Sequence, residues 1–188
     1  MNVVPFELSR TKDLGALLDT DPGSRGCWCM WFIIPVKAYH EAKGDANRDD
    51  FLALAASDPH PLGLMACEGD QPVGWCADGP RTRYIRALGT PTLKGRDRAE
   101  DGSVWLVPCF MIKRDQRSEG VASTLLAAAV ELARDRGATA IQGFPLAGDK
   151  RRSSGSDLQT GVESLFAGCG FAAVSRPSDN RVVMRRES

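Results

Sequence analysis

The sequence has no surplus of charge: 24 basic residues stand against 24 acidic ones in a chain of 188. That balance excludes a bulk pull toward nucleic acid or an anionic membrane, so any anion site has to be local. No apolar run approaches the roughly 18 residues of a membrane span. The first ten residues, MNVVPFELSR, lack the basic-then-apolar layout of a secretion signal, and a cytoplasmic protein is expected. Histidine is scarce. His40 lies among charged residues and His60 between two prolines, and neither is taken as catalytic. The six cysteines show no C-x-x-C spacing and read as thiols rather than as a disulfide framework. The common nucleotide loops are missing too, with no G-x-x-x-x-G-K-[ST] and no G-x-G-x-x-G between a strand and a helix.

What the chain does have is one organising stretch, Ser103 to Arg136. It begins as an apolar run of strand character, Val104 to Ile112. A basic turn follows, Lys113 to Gly120, and then an alanine- and leucine-rich segment of high helix propensity. Strand, basic turn and helix together aim free backbone N–H groups and the positive end of a helix at an anion. Gly120 admits positive φ or a close approach, Ala122 leaves room beside the first helical turn, and Arg117 brings a guanidinium that forks onto phosphate oxygens. The physical reading is a pyrophosphate cradle.

The remaining elements follow in order. Val3 to Leu8 reads as a strand, and Thr11 or Asp13 caps a helix through Leu18. Gly26-Cys27-Trp28-Cys29-Met30-Trp31-Phe32 has three readings: a buried aromatic plug, the wall of an acceptor pocket with Trp28 and Trp31, or a metal or redox site joined by Cys67 and Cys76. Val36 to Ser57 reads as helical, broken near Gly44-Asp45. Pro61 to Glu68 and Val73 to Ala77 form a hairpin around the turn Gly69-Asp70-Gln71-Pro72. Asp78 to Gly102, rich in arginine, reads as a long connection. It is either solvated, or covers an acceptor site, or reaches a phosphate. Ala138 to Leu146 is a strand, Asp149 to Gln159 has a flexible polar composition, and Thr160 or Ser156 caps a helix from Val162 to Gly168. Phe171 to Val174 and Arg181 to Met184 are the last strands.

Several of these segments resemble one family. Arg117-x-x-Gly120-x-Ala122 after an apolar strand looks like the acyl-CoA signature of the GNAT superfamily of N-acetyltransferases, Gln/Arg-x-x-Gly-x-Gly/Ala. Glu68 followed by Val73-Gly74-Trp75 is similar to the family's second and third strands. Phe166-x-x-x-Gly170-Phe171 is similar to its Tyr/Phe-x-x-x-Gly-Phe element. The resemblance implies a single α/β (α+β) domain over residues 1–188. Its mixed, mostly antiparallel twisted sheet would have about six to seven strands, splayed between the fourth and fifth and flanked by about four helices. It implies acetyl-CoA as cosubstrate, with CoA as product, lying in the splay. Phe110, Met111 and Ile112 would face the pantetheine arm. Arg117, Ser118, Glu119, Gly120, Val121, Ala122 and Ser123 (with Thr124 in reach) would hold the pyrophosphate, and Thr160 would touch the cofactor. Pro108, unable to donate a ladder bond, is expected at a bulge or a free edge.

The implied activity is direct attack of a primary amine, on a small molecule or a peptide, upon the thioester. The sequence departs from the family pattern at two places. The strand from Val104 to Ile112 has no carboxylate to act as base, and the position of the usual tyrosine acid holds Phe166. Glu68, Asp101, Glu119, Glu163 and Cys109 are the substitutes considered. No metal site is expected, and the assembly is a monomer or a homodimer. Two other functions remain open: a catalytically silent acyl-CoA-binding or regulatory module, and a cysteine-based metal or redox protein.

Overall fold

The structure, a computed structural model, describes residues 1–42, 45–148 and 157–188. In chain order its elements are β1 (Asn2–Pro5), α1 (Thr11–Leu18), α2 (Val36–Ala42), α3 (Asp45–Ser57), β2 (Gly63–Glu68) and β3 (Gln71–Pro80). Then come α4 (Ile85–Leu88), β4 (Val104–Ile112), α5 (Val121–Asp135), β5 (Ala140–Gly143), α6 (Glu163–Gly168), β6 (Ala172–Ser178) and β7 (Arg181–Glu187). The strands form one seven-stranded sheet in the order β1-β2-β3-β4-β5-β7-β6. Every pairing is antiparallel except β4 with β5.

The longest helix, α5, buries Val121, Leu125, Leu126, Ala129, Val130 and Ala133. These recur every three to four residues and make one apolar face. That face lies on β2, β3 and β4. The approach is close because β3 carries Gly74, where a Cβ would stand 2.7 Å from Val121 Cγ1. The helix ends on Gly137, with Ala138 N–H donating to Ala133 O and Gly137 N–H to Arg134 O, both at 2.9 Å. On the other sheet face, α1, α3 and residues 24–34 cover Met65, Trp75 and Met111 through Leu14, Leu17, Met30 and Phe51.

The β4 strand determines where the sheet opens. Ala77 pairs with Cys109 and Gly79 with Leu106, so Val107 and Pro108 together stand opposite Asp78. This is a β-bulge, and Pro108 occupies it. Parallel pairing with β5 runs from Val104↔Ala140 to Val107↔Gly143 and stops there. From Cys109 to Ile112, β4 has β3 on one side and, among the described residues, no strand on the other.

Several expectations need correction. The first strand stops at Pro5 and the hairpin turn is only Gly69-Asp70, with Gly69 at φ 57. The connection from 78 to 102 is not a solvated loop. Arg81 is fully buried, bonded to Gln142 Oε1 at 3.1 Å and Asp97 O at 2.6 Å and paired with Asp101 at 2.7 Å. Arg83 is held by Asp58 at 3.0 Å and by the carbonyls of Asp78, Pro61 and His60. Arg81 Nε has no partner among the described residues, but the terminal nitrogens of Arg81 and the Arg83 guanidinium meet carbonyl, amide and carboxylate oxygens scattered along the chain, which composition does not reveal. Around them Tyr84, Leu93, Leu106, Phe144 and Val183 form a third core. Thr160 does not cap α6: Gly161 at φ 78 and extended Val162 intervene. Ser156, Gly44 and the polar segment from Asp149 to 156 lie outside the described residues. Among those described, no helix is long and apolar enough to cross a membrane.

Candidate functional site

Where β4 parts from β5, a cleft of about 400 Å³ opens. Phe110, Met111 and Ile112 form its floor, and Gly161, Val162 and Leu165 its far wall. Arg117, Ser118, Gly120, Val121, Ala122 and Ser123 close one end. Gly120, the residue before α5, sits at φ 81, and Ser118 also has positive φ at 70. No side chain among the described residues caps this helix. The Ser123 and Thr124 hydroxyls donate back to Gly120 O, at 2.7 and 3.1 Å. The N–H groups of the first turn are therefore left for a ligand, at the positive end of a 15-residue helix. Arg117 Nε donates to Ile112 O at 3.3 Å, which holds its side chain at the rim. Glu119 turns away and lines a separate depression with Glu68 and Asp115.

A second chamber of about 450 Å³ lies beyond β4, lined by Cys27, Cys29, Trp31, Tyr39, Cys109 and Phe144 among others. It shares Gln159 with the cleft, and the successive residues Cys109 and Phe110 line chamber and cleft respectively. The chamber has an aromatic wall. The Trp31 ring meets Tyr39 edge-on at 5.0 Å, and the Arg86 guanidinium stacks 3.3 Å from its centre. Trp75 Nε1 donates to Cys29 Sγ at 3.0 Å. The Cys109 thiol and this indole N–H hold Cys29 below the usual cysteine range, against the opposing effect of burial. Donation to Cys29, together with burial, pushes Cys109 well up. Burial raises Cys27 and Tyr39 as well.

Of the residues expected to hold a cofactor, Phe110, Met111, Ile112, Arg117, Ser118 and Gly120 to Ser123 line the cleft, whereas Thr160 lines the chamber and Glu119 neither. Trp31 lines the chamber; Trp28 is core, packed on Phe51 at 5.7 Å. Cys109 lines the chamber, but the carboxylates considered for catalysis are engaged elsewhere. Asp101 pairs with Arg81 and Arg96, and Glu163 pairs with Arg176 and accepts from Gly148 N–H. Glu68 is exposed at the end of β2. Phe166 is fully buried, its ring 5.1 Å from Phe171. Asp21, Gln159 and Gly161 were not anticipated; Asp21 is the one carboxylate among the described residues lining cleft or chamber. No group of histidine, cysteine or acidic side chains among the described residues is arranged to hold a metal ion.

The model of the acetyltransferase (GNAT) family matches residues 28–145. A sequence search of curated proteins finds no match. Among solved structures, ribosomal-protein-alanine N-acetyltransferase from Brucella melitensis aligns at TM-score 0.59 and 18% identity, over 100% of both chains. PaiA N-acetyltransferase from Thermoplasma acidophilum, in complex with coenzyme A, aligns at 0.57 and 12%, over 100% of this chain and 98% of that one. The structure of yncA from Salmonella typhimurium, with its cofactor acetyl-CoA, aligns at 0.59 and 12%, over 99% and 92%. At these identities the likeness is one of fold.

Proposed function

The chain belongs to the GNAT acetyltransferase family, and from that premise we propose that it moves the acetyl group of acetyl-CoA to a primary amine on a small molecule or a peptide. The observation that carries this reading is the open N-terminus of α5, facing a cleft that follows the unpaired edge of β4. The first-turn N–H groups and Arg117 suit a pyrophosphate. The backbone from Cys109 to Ile112, free on one side, suits the amide groups of a pantetheine arm laid along it like a strand. The thioester would then lie near Cys109 and Phe110, where cleft and chamber adjoin. The chamber is the acceptor side, and its aromatic wall of Trp31, Tyr39 and Phe144 favours an apolar or aromatic amine. Asp21 lines the cleft and not the chamber, so the proton of an amine held in the chamber would reach it through water. We read the chain as one cytoplasmic domain over residues 1–188, a monomer or homodimer.

Calorimetric titration with acetyl-CoA tests this. Wild type should bind in the micromolar range, and Arg117→Glu should lose most of that affinity. Absence of binding to wild type overturns the reading. A second reading, a silent acyl-CoA-binding module, is favoured by the engagement of Asp101 and Glu163 in ion pairs and by the buried phenylalanine at 166. Turnover with a panel of amines separates the two, since both predict binding.

A further inference from the structure

We propose that Arg86 makes the chamber select its acceptor as the uncharged amine, so that its substrates are weakly basic primary amines with an aromatic body. The inference rests on the acetyl-CoA reading above and keeps its direct attack on the thioester. It starts from three arginines in one segment. Arg81 and Arg83, on the turn before α4, are paired with Asp101 and Asp58. Arg86, on α4, meets no carboxylate among the described residues, and its buried Nη1 has no hydrogen-bond partner there. What it has is a π face: the guanidinium carbon stands 3.3 Å from the centre of the Trp31 ring. A cation partly withdrawn from water without an anion beside it is unfavourable. The chamber is what this one acts on.

Arg86 does not line the chamber, but it stands against its wall. Trp31, on which it stacks, and Ala87, next to it in the chain, are both lining residues. So are Tyr39 and Cys27, the titratable groups that act on it. Among the described residues the chamber has no carboxylate, and its permanent charge is again a cation, Arg181, which donates to Phe144 O and Thr160 Oγ1. The titratable groups of the lining are Cys27, Cys29, Cys109 and Tyr39, with His40 beyond them, 6.1 Å from the Trp31 ring. Burial keeps Cys27 and Tyr39 neutral; Cys109 is raised too, and only Cys29 is lowered, by the donors that reach its sulfur. Asp21 lies in the adjoining cleft. An ammonium entering this chamber loses water, meets cations and finds a guanidinium already on the Trp31 ring. Each of the three favours release of its proton. The free amine has no charge to desolvate and keeps the aromatic wall.

This selection stands in for a base beside the thioester. The ammonium gives its first proton to solvent before it enters, so the chamber receives an amine with its lone pair free. The nitrogen attacks the acetyl carbonyl and the C–N bond forms. The bond from the carbonyl carbon to the CoA sulfur breaks, and CoA leaves as its thiolate. The one proton still to be lost from nitrogen passes through water to Asp21.

The test uses three amines of nearly one shape and falling basicity: phenethylamine and its β-fluoro and β,β-difluoro forms. With saturating acetyl-CoA, kcat/KM for each should climb about tenfold per pH unit below that amine's own solution pKa and level off there. Near neutral pH the difluoro amine should be the best of the three, and the polyamine spermidine should not react. Arg86→Met, which keeps a side chain on Trp31, should bind acetyl-CoA as wild type does. It should bind protonated phenethylamine at least ~10-fold more tightly than wild type, by calorimetry in mild acid with CoA present. Arg86→Lys, which restores the charge, should restore the discrimination. Profiles that inflect at one pH for all three amines put a base on the protein and overturn the inference, leaving the proposed function standing. An Arg86→Met protein with unchanged affinity for the protonated amine does the same. Acetyl-CoA binding without turnover of any of the three overturns it in favour of the silent module. Failure to bind acetyl-CoA overturns both.

Discussion

Asp78 is fully buried, and neither of its carboxylate oxygens has a hydrogen-bond partner among the described residues. Burial lifts its pKa from 3.8 to about 8, with the Arg83 charge opposing. In the unfolded chain this carboxyl gives up its proton near pH 4, and in the folded protein only near pH 8. The folded state holds the extra proton between those values, so stability falls as pH rises across that window and is flat above it. Asp78→Asn should remove the slope, leaving stability near pH 4 little changed and raising it by a few kcal/mol at pH 8. Denaturant titrations at the two pH values would measure this. At the same scale lies the part of the site the sequence did not disclose. Trp75 and Cys29 are 46 residues apart, and no local pattern announces that one donates to the other. Arg117 and Gly120 were readable because the cradle is built from six consecutive residues.

Among the elements, α5 does two things: it closes the core and it offers its N-terminus to the cleft. Both depend on how near it lies to β3. Gly74→Ala would put a methyl group 2.7 Å from Val121 Cγ1 and 3.1 Å from Leu125 Cδ1. Neither neighbour is a flexible chain end, so the helix has to shift. A loss of about 1–3 kcal/mol is expected by urea unfolding. Weaker acetyl-CoA binding by calorimetry should accompany it, because Val121 also lines the cleft. Helices and strands of this kind were legible from period and punctuation: α1 ends at Leu18 as expected, although Arg10 precedes it and neither Thr11 nor Asp13 caps it, and the Pro108 bulge follows from the missing N–H. Segment 78–102 was not. Its order comes from Arg81 and Arg83, and an arginine in a sequence does not tell whether it will find carbonyls or water.

Across the whole molecule, the sheet is two parts joined by four residue pairs between β4 and β5. The proposed cosubstrate would lie across the opening between them, touching β4 and α5 on one side and the Gly161 to Leu165 wall on the other. Binding should therefore protect both parts together. At about 100 times its Kd, acetyl-CoA should add ~2.7 kcal/mol to stability. Hydrogen exchange should slow in Cys109–Ile112 and in α6 alike, and protection confined to one side would contradict the bridging placement.

The bulge in β4 also has a consequence for parity. Along a regular strand, odd and even residues keep to opposite faces. In β4, Trp105 and Val107 pack in the core under α5, and so does Phe110, while Leu106, Cys109 and Met111 face the other way. Odd numbers thus change sides at Pro108. A β4 of the same length that ran past Pro108 without the bulge would continue its alternation unbroken and exchange the two faces of the residues beyond. Phe110 would then turn toward the chamber lined by Trp31 and Tyr39, and Cys109 and Met111 would be buried beneath α5.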